Sequence, residues 1–370
     1  MKKRLRAWCV NVLLATGAVV TALGCAELGL RLLYPQPLGV WHQDRGGLAL
    51  HWPGLVTYLP QFGHMVSINS DGLRDREHAV PKTDGMYRIL VLGDSFMEAL
   101  QVPFEASFAS RLERELGKTT RTPVEVVNAS VSGWGTDDEL TYLERYGARW
   151  QPDFILIAMT LHNDVKDNLR ERFHRRENGT LTDGWQRTLS SPEFRLSELK
   201  GFLASRSHAY QLLLRARRSG ERTVEAEQLD AHVADLFGAT MSRELAKGLE
   251  ITRLLLERIR VIAAQRKAKV AVVLLPLAVQ VSGEASGGLI ERVAMATGTL
   301  DIQRPQRLLR GVAQRVGIEV IDLLPAFRGW MAAGGPSLYL ERDGHWNESG
   351  HRVAAGVVAS ELVRRGVVAR

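Results

Sequence analysis

From residue 87 onward, short apolar runs alternate with amphipathic stretches. The runs are "RILVL" (88–92), "VEVV" (124–127), "FILIAM" (154–159), "VAVVLL" (270–275) and "IEVI" (318–321). Each is strand-sized, rich in Val, Ile and Leu, and nearly free of polar alternation, which is the pattern of strands buried on both faces. Between them lie a helix-like stretch over 96–116, another over 137–146, and "RPQRLLRGVAQRVG" over 304–317. The strongest amphipathic helix sets Ile251, Leu254, Leu255, Ile259 and Ile262 on one face, with Arg258 interleaved. Strands separated by helices predict an α/β fold with about five parallel strands covered on both faces.

The flanks follow other patterns. Lys2, Lys3, Arg4 and Arg6 precede positions 7–26, which carry no charge. About 20 apolar residues suffice to cross a bilayer, and a basic flank stays in the cytoplasm. Residues 1–34 are therefore expected to be a signal anchor, single-pass in the inner (cytoplasmic) membrane, with the rest on the periplasmic or extracytoplasmic side. Cleavage at the small residues 24–26, or lipidation of Cys25, are the other fates. The apolar pattern resumes past Glu27 with Leu28, Leu30, Leu32 and Leu33, which favours a retained anchor. Residues 35–85, rich in Gly, Pro and aromatics, read as a juxtamembrane segment of short strands and turns, with one turn at Asp71-Gly72. Residues 86–370 read as the main domain. An insertion at about 165–243 interrupts it, holding a hairpin around Asn178-Gly179 and the helix-like "SELKGFLASRSHAYQLLLRARR".

Composition narrows the function classes. Hydrophobic residues make up 45% of the chain and charged residues 24%, ordinary values for a packed domain. The net charge of +7 is spread along the chain, apart from small clusters at 2–6 and 170–176. That reads as solvated surface, and no nucleic-acid motif is present, so no nucleic-acid partner is expected. Cys9 and Cys25 are the only cysteines, which leaves residues 26–370 without a thiolate nucleophile, a cysteine metal site or a disulfide. No cofactor and no metal are expected, and the oligomeric state is left open.

Polar residues cluster where the apolar runs end, and parallel sheets bind ligands beyond the carboxyl ends of their strands. Asp94-Ser95 follows the first run, "SGWG" (132–135) the second, and His162-Asn163-Asp164 the third. Asp343 and His345 stand in "ERDGHWNESGH" near the carboxyl terminus. This set suits acyl transfer. A serine hydroxyl needs a base, histidine is one near neutrality, and a carboxylate fixes the imidazole tautomer. Donors aimed at the oxyanion supply much of the rate. The Ser95 amide at a helix start, the Gly133 amide and the Asn163 side chain are the candidate donors. Asp94 reads as a cap rather than a catalytic partner, His351 as a packing residue and Asp322 as a loop fastener. A metal site at Asp343, His345 and His351 has no standard spacing. Trp134, Trp185 and Trp346 give a hint of a sugar-binding surface, although core packing is the commoner role of such rings.

At these residues the chain resembles the SGNH (GDSL-type) hydrolase family. Gly93-Asp94-Ser95 matches its first block and Gly133 its second. Asn163-Asp164 matches part of its third, with Leu161 in place of the family's glycine. Asp343 and His345 stand for the last block, one residue closer together than usual. That shortened DxH form is similar to envelope proteins of alginate O-acetylation. The resemblance implies a three-layer α/β/α sandwich with a flavodoxin-like sheet. It also implies a triad of Ser95, His345 and Asp343, with an oxyanion hole from Ser95, Gly133 and Asn163. The expected activity is hydrolysis of acyl esters, most simply acetyl, with a cell-envelope or extracellular glycan as the substrate. The alternatives are an O-acyltransferase acting on an exported polysaccharide and a catalytically idle glycan-binding protein.

Overall fold

The computed structural model describes residues 2–160, 163–183, 192–218, 235–282, 301–341 and 343–368. Helix α1 (Lys2–Leu33) projects from the body with most of its side chains exposed, and its Trp8–Leu33 part is long and apolar enough to cross a membrane. Two antiparallel hairpins follow, β1 (Trp41–Gln43) with β2 (Ala49–His51) and β3 (Val56–Leu59) with β4 (His64–Ser67). The turn expected at Asp71-Gly72 is present. Asn69 Oδ1 accepts from the amides of Asp71 and Leu73, at 3.0 and 2.8 Å.

The central sheet contains β5 (Tyr87–Leu92), β6 (Val124–Asn128), β7 (Phe154–Thr160), β10 (Lys269–Leu275) and β11 (Glu319–Asp322), all parallel. Its spatial order is β11-β10-β7-β5-β6, the flavodoxin-like arrangement in which the winding reverses between the first and third strands. The sheet helices are α2 (Ser95–Glu98), α3 (Phe108–Thr119) and α4 (Thr136–Arg145). After β7 come the short α5 (Asp164–Asn168), the hairpin β8 (His174–Glu177)–β9 (Thr180–Asp183), α6 (Pro192–Arg206) and α7 (His208–Arg218). The chain closes with α8 (Arg243–Gln265), α9 (Ala278–Ser282), α10 (Arg304–Arg315), α11 (Leu324–Ala332) and α12 (Glu348–Arg364).

The strands are largely apolar because each side of the sheet has its own core. Leu90, Leu92, Ile155, Ile157 and Val272 pack against α4, α8 and α10. Ile89, Val91, Leu156, Val273 and Ile321 face α3, α11 and α12. Successive residues of one strand point to opposite faces, so both layers are filled by the same short runs. The result is the expected α/β/α sandwich.

One expected element differs. The helix-like stretch over 96–116 is broken: α2 ends at Ala99, which adopts the left-handed conformation (φ 57°), and α3 restarts from the Ser107 cap, whose hydroxyl accepts from the Ser110 amide. The hairpin around Asn178-Gly179 forms, with both turn residues at positive φ, as a two-residue hairpin turn demands. Near the end of α1, Glu27 accepts hydrogen bonds from Ser207 Oγ and from the amides of His208 and Ala209, each at 2.9 Å, and so holds the α6–α7 elbow.

Candidate active site

Ser95 opens the short turn α2 directly beyond β5, half-buried among buried neighbours. Gly93 allows the chain to turn there, because a Cβ would lie 3.1 Å from that of Ala158 on β7 and 2.8 Å from the Met97 side chain. Asp94 caps the turn: its Oδ1 accepts from the Phe96 amide at 3.0 Å, and its Oδ2 accepts from Asn163 Nδ2 at 2.9 Å. The loops after β5 and β7 are therefore tied together at the point where the strand order reverses. Burial pushes the Asp94 carboxyl up, against hydrogen bonds from Asn163 and the Phe96 amide that favour its charge.

The loop after β6 is held to the same turn. The Val131 amide donates to Gly93 O at 3.2 Å, continuing the β5–β6 pairing past the strand ends. Residues 131–134 then form a turn closed by the Trp134 amide on Val131 O (3.2 Å), with Gly133 in third position at φ +79°. That is the type II position that favours glycine. Neither the Ser95 nor the Gly133 amide donates to a protein acceptor among the described residues. The Asn163 amide nitrogen carries two hydrogens, and Asp94 takes one.

His345 comes from 250 positions away, yet its Nε2 lies 2.7 Å from Ser95 Oγ. Its Nδ1 lies 2.5 Å from Asp343 Oδ1. The shortened spacing works because Gly344 stands at φ +79°, bending the chain so that an acid two residues earlier reaches the ring. The loop is pinned by the Leu340 amide on His345 O (2.8 Å) and the Gly344 amide on Leu340 O (2.9 Å). The Phe96 ring packs against the imidazole at 4.7 Å between centroids. Burial of the ring disfavours its cation, but the hydrogen bond and charge of Asp343, with Asp94 and Glu98 farther off, outweigh it and raise its pKa. The hydrogen bond from His345 in turn lowers that of Asp343, against partial burial. A hydroxyl, an imidazole and a carboxylate in one hydrogen-bonded row can pass a proton from oxygen to nitrogen and stabilise the cation that results.

The neighbouring candidates fall elsewhere. His351 is buried against Trp346, and burial, with the nearby charges of Arg74 and Arg111, pushes it down to about 3, so it is neutral and packed. Asp322 accepts from the Leu324 amide at 3.0 Å and from Arg310 at 2.7 Å, at the end of β11. Trp134 and Trp346 do not supply a sugar-binding face: they are 1% and 0% exposed, filling the two cores. His162 and Trp185 lie outside the described residues. Among the described residues no group of acids, histidines or cysteines is arranged to hold a metal ion. A depression of about 610 Å³ between residues 82–86 and 266–267 sits at the opposite, amino-terminal end of the strands, and none of these residues lines it.

The residue that sequence reasoning passed over is Glu98, three positions after Ser95. It is fully buried, and its carboxylate accepts from Trp41 Nε1 at 2.7 Å, from the Ser132 amide at 3.2 Å and from the Ser132 hydroxyl. The available signal was an acid inside the apolar run "SFMEAL".

Several solved structures are similar to the chain at low identity. An α/β hydrolase, LAE5, from the metagenome of Lake Arreo, Spain, is 13% identical over 74% of this chain and 94% of its own, with a TM-score of 0.40. A lipase/acylhydrolase from Enterococcus faecalis is 15% identical over 76% and 97%, with a TM-score of 0.40. An acetyl xylan esterase, AlAXEase, is 13% identical over 75% and 100%, with a TM-score of 0.37. No curated protein matches the chain. The GDSL-like lipase/acylhydrolase family model matches residues 91–353, well over half the length, so the chain belongs to that family and is a carboxylic ester hydrolase.

Proposed function

We propose that the protein is a membrane-anchored serine esterase that removes acyl groups, acetyl foremost, from cell-envelope or extracellular glycans. Ser95 Oγ attacks the ester carbonyl while its proton passes to His345 Nε2. The amides of Ser95 and Gly133 and the free hydrogen of Asn163 Nδ2 hold the oxyanion. As the tetrahedral intermediate collapses, the C–O bond to the alcohol breaks and His345 returns the proton to the departing oxygen. Water then enters, gives a proton to His345, and attacks the acyl carbon. As the resulting intermediate collapses, the bond from the acyl carbon to Ser95 Oγ breaks and His345 gives its proton to Oγ, which releases the carboxylic acid and restores the hydroxyl. Asp343 holds the ring in the tautomer with hydrogen on Nδ1 and stabilises the imidazolium in both halves. Proton transfer runs between serine, histidine, the departing alcohol and water.

The observation that carries this reading is the row Ser95 Oγ–His345–Asp343, at 2.7 and 2.5 Å, assembled from both ends of the domain. α2 has only four residues, so the proposed oxyanion donors act as local amides more than through a helix dipole. The apolar span within α1 supports a membrane anchor, and the basic flank at 2–6 supports a site on the extracytoplasmic side. The glycan assignment rests on that placement and on the resemblance of the DxH loop to alginate O-acetylation proteins.

The full chain in detergent or reconstituted vesicles is expected to hydrolyse p-nitrophenyl acetate, and Ser95→Ala to lose that activity. Equal rates in the two would overturn the triad. Acetate release from an acetylated polysaccharide supports the esterase; faster transfer of acetyl to a glycan hydroxyl than to water makes the same row a transferase. Binding of glycan without labelling of Ser95 by a fluorophosphonate would leave only a binding protein.

A further inference from the structure

The segment ahead of the family's own region reaches into the proposed site through one carboxylate. Glu98 stands one turn beyond Ser95 and is completely buried. On one side its Oε1 meets Trp41 Nε1 at 2.7 Å and His51 Nε2 at 2.5 Å. The other ring nitrogen of His51 faces Gly72 O at 3.1 Å. Arg74 clasps the same turn from below, donating to Glu98 O at 2.9 Å and to Val102 O. Trp41, His51 and Arg74 all precede residue 91, where the family match begins. On the other side Oε2 receives both the amide and the hydroxyl of Ser132. Burial alone would raise the Glu98 carboxyl, yet the hydrogen bond and charge of His51 and the bonds from Ser132 and Trp41 bring it below its usual value, so it is held ionised.

Ser132 is the second residue of the turn whose third is Gly133. The orientation of the Ser132–Gly133 peptide plane decides where the Gly133 amide points. With its own amide and hydroxyl both committed to Glu98, Ser132 has one arrangement available. We propose that Glu98 is a positioning residue for ester hydrolysis: clamped by Trp41 and His51 of the β1–β2 hairpin, it fixes the 131–134 turn and so aims the Gly133 amide at the oxyanion. The hairpin next to the proposed anchor is thereby a working part of the active site. This rests on the serine-esterase reading above.

Three variants of the full chain test it, each measured for kcat and KM on p-nitrophenyl acetate, for inactivation by diisopropyl fluorophosphate, and for Tm. In Glu98→Gln an amide must replace one carboxylate oxygen, so one row of donors, Trp41 or Ser132, faces another donor. The expected result is a kcat lower by about 10- to 100-fold, short of the full loss of an oxyanion donor, with KM within about twofold. Inactivation slows in parallel, because the phosphoryl oxygen uses the same hole. Ser132→Ala leaves the buried pair intact and is expected to lower kcat by about 3- to 10-fold. It decides the matter if Glu98→Gln fails to fold. The double variant is expected to be no slower than Glu98→Gln alone, because both break one link. A kcat within twofold of the parent in Ser132→Ala and in folded Glu98→Gln overturns the proposal, as does a rise in KM with kcat unchanged. Ser95→Ala separates the two levels. If it stays active the esterase reading falls; if it is dead while Glu98→Gln is normal, only the positioning role falls.

Discussion

Replacing Asp343 by asparagine keeps the shape of the side chain and removes its charge. Asp343 Oδ1 accepts from His345 Nδ1 at 2.5 Å and from the His345 amide at 3.3 Å. A hydrogen bond to a charged group contributes about 1.5–3 kcal/mol, and each 1.36 kcal/mol of barrier is tenfold in rate. Loss of that bond as the imidazolium forms predicts a kcat lower by roughly 10- to 150-fold. If the new amide presents its NH2 to Nδ1, the ring is pushed into the wrong tautomer and the loss grows toward the ~10⁴-fold of buried triads. The Asp343 side chain is 34% exposed, so water offsets part of the missing charge and the smaller figure is expected. The pH profile gives a second readout. The base must be neutral, so activity falls as pH drops through the His345 pKa, which Asp343 raises. Without the carboxylate the acid limb moves to lower pH while the plateau falls. The assay is kcat/KM on p-nitrophenyl acetate from pH 5 to 9 in Asp343→Asn beside the parent. An unchanged plateau together with an unmoved acid limb would refute the role assigned to Asp343.

Other consequences can be measured on single variants. Gly133→Ala adds a Cβ with no atom within 4 Å, so its stability cost is the left-handed backbone alone, about 1–2 kcal/mol. Its kcat is expected to fall at least tenfold as the turn relaxes, and full activity in the Gly133→Ala variant would count against that amide as a donor. His174 touches Asp137 at 2.6 Å and Glu144 at 3.1 Å, and these acids, against the effect of burial, push it up to about 9. A raised histidine stabilises fully below its unfolded pKa near 6.5 and loses that contribution as pH climbs through about 9. His174→Gln should therefore cost on the order of 2 kcal/mol at pH 6 and little at pH 10 by urea denaturation. An equal cost at both would contradict this. Glu139 is buried with neither carboxyl oxygen partnered, and burial, with the charges of Asp94 and Asp138, holds its pKa well above the usual range. The folded chain keeps a proton there that the unfolded chain releases, so the penalty grows above pH 4.5. Glu139→Gln should raise Tm by a few degrees at pH 7 and leave it unchanged at pH 4.

Much of the fold could be read from the chain because most of the sheet strands are buried on both sides. Such strands must be continuous apolar runs, and the observed boundaries lie within one residue of those runs. The break after α2 was hidden because the residue that bends the chain is Ala99 rather than a glycine, held by a hydrogen bond from its own amide to Ser95 O at 2.9 Å. Buried charge was also hidden. Arg88 looks like a strand-edge cation, yet it is fully buried between Glu125, Trp150 O and Ala79 O. For the site, the motifs pointed to Ser95, Asp343 and His345, and these stand in one hydrogen-bonded row. Glu98 was missed because its partners Trp41 and His51 belong to a segment with no periodic pattern. Pairings between such a segment and a distant turn leave no local trace.

With α1 anchored in a bilayer as proposed, the Glu27 clamp would set how far the site works from that anchor. A serine esterase on a slack tether would sweep a volume that grows with linker length. Here the helix end is bound to the α6–α7 elbow, and Gln36, just beyond it, is bonded to His208 Nδ1 at 2.7 Å and to Arg215 at 2.9 Å. With α1 in a bilayer, Ser95 and its partners would be carried at one stand-off height. Its substrates would then be chosen partly by elevation, with polymers threading past at that level treated and those held closer or farther left alone.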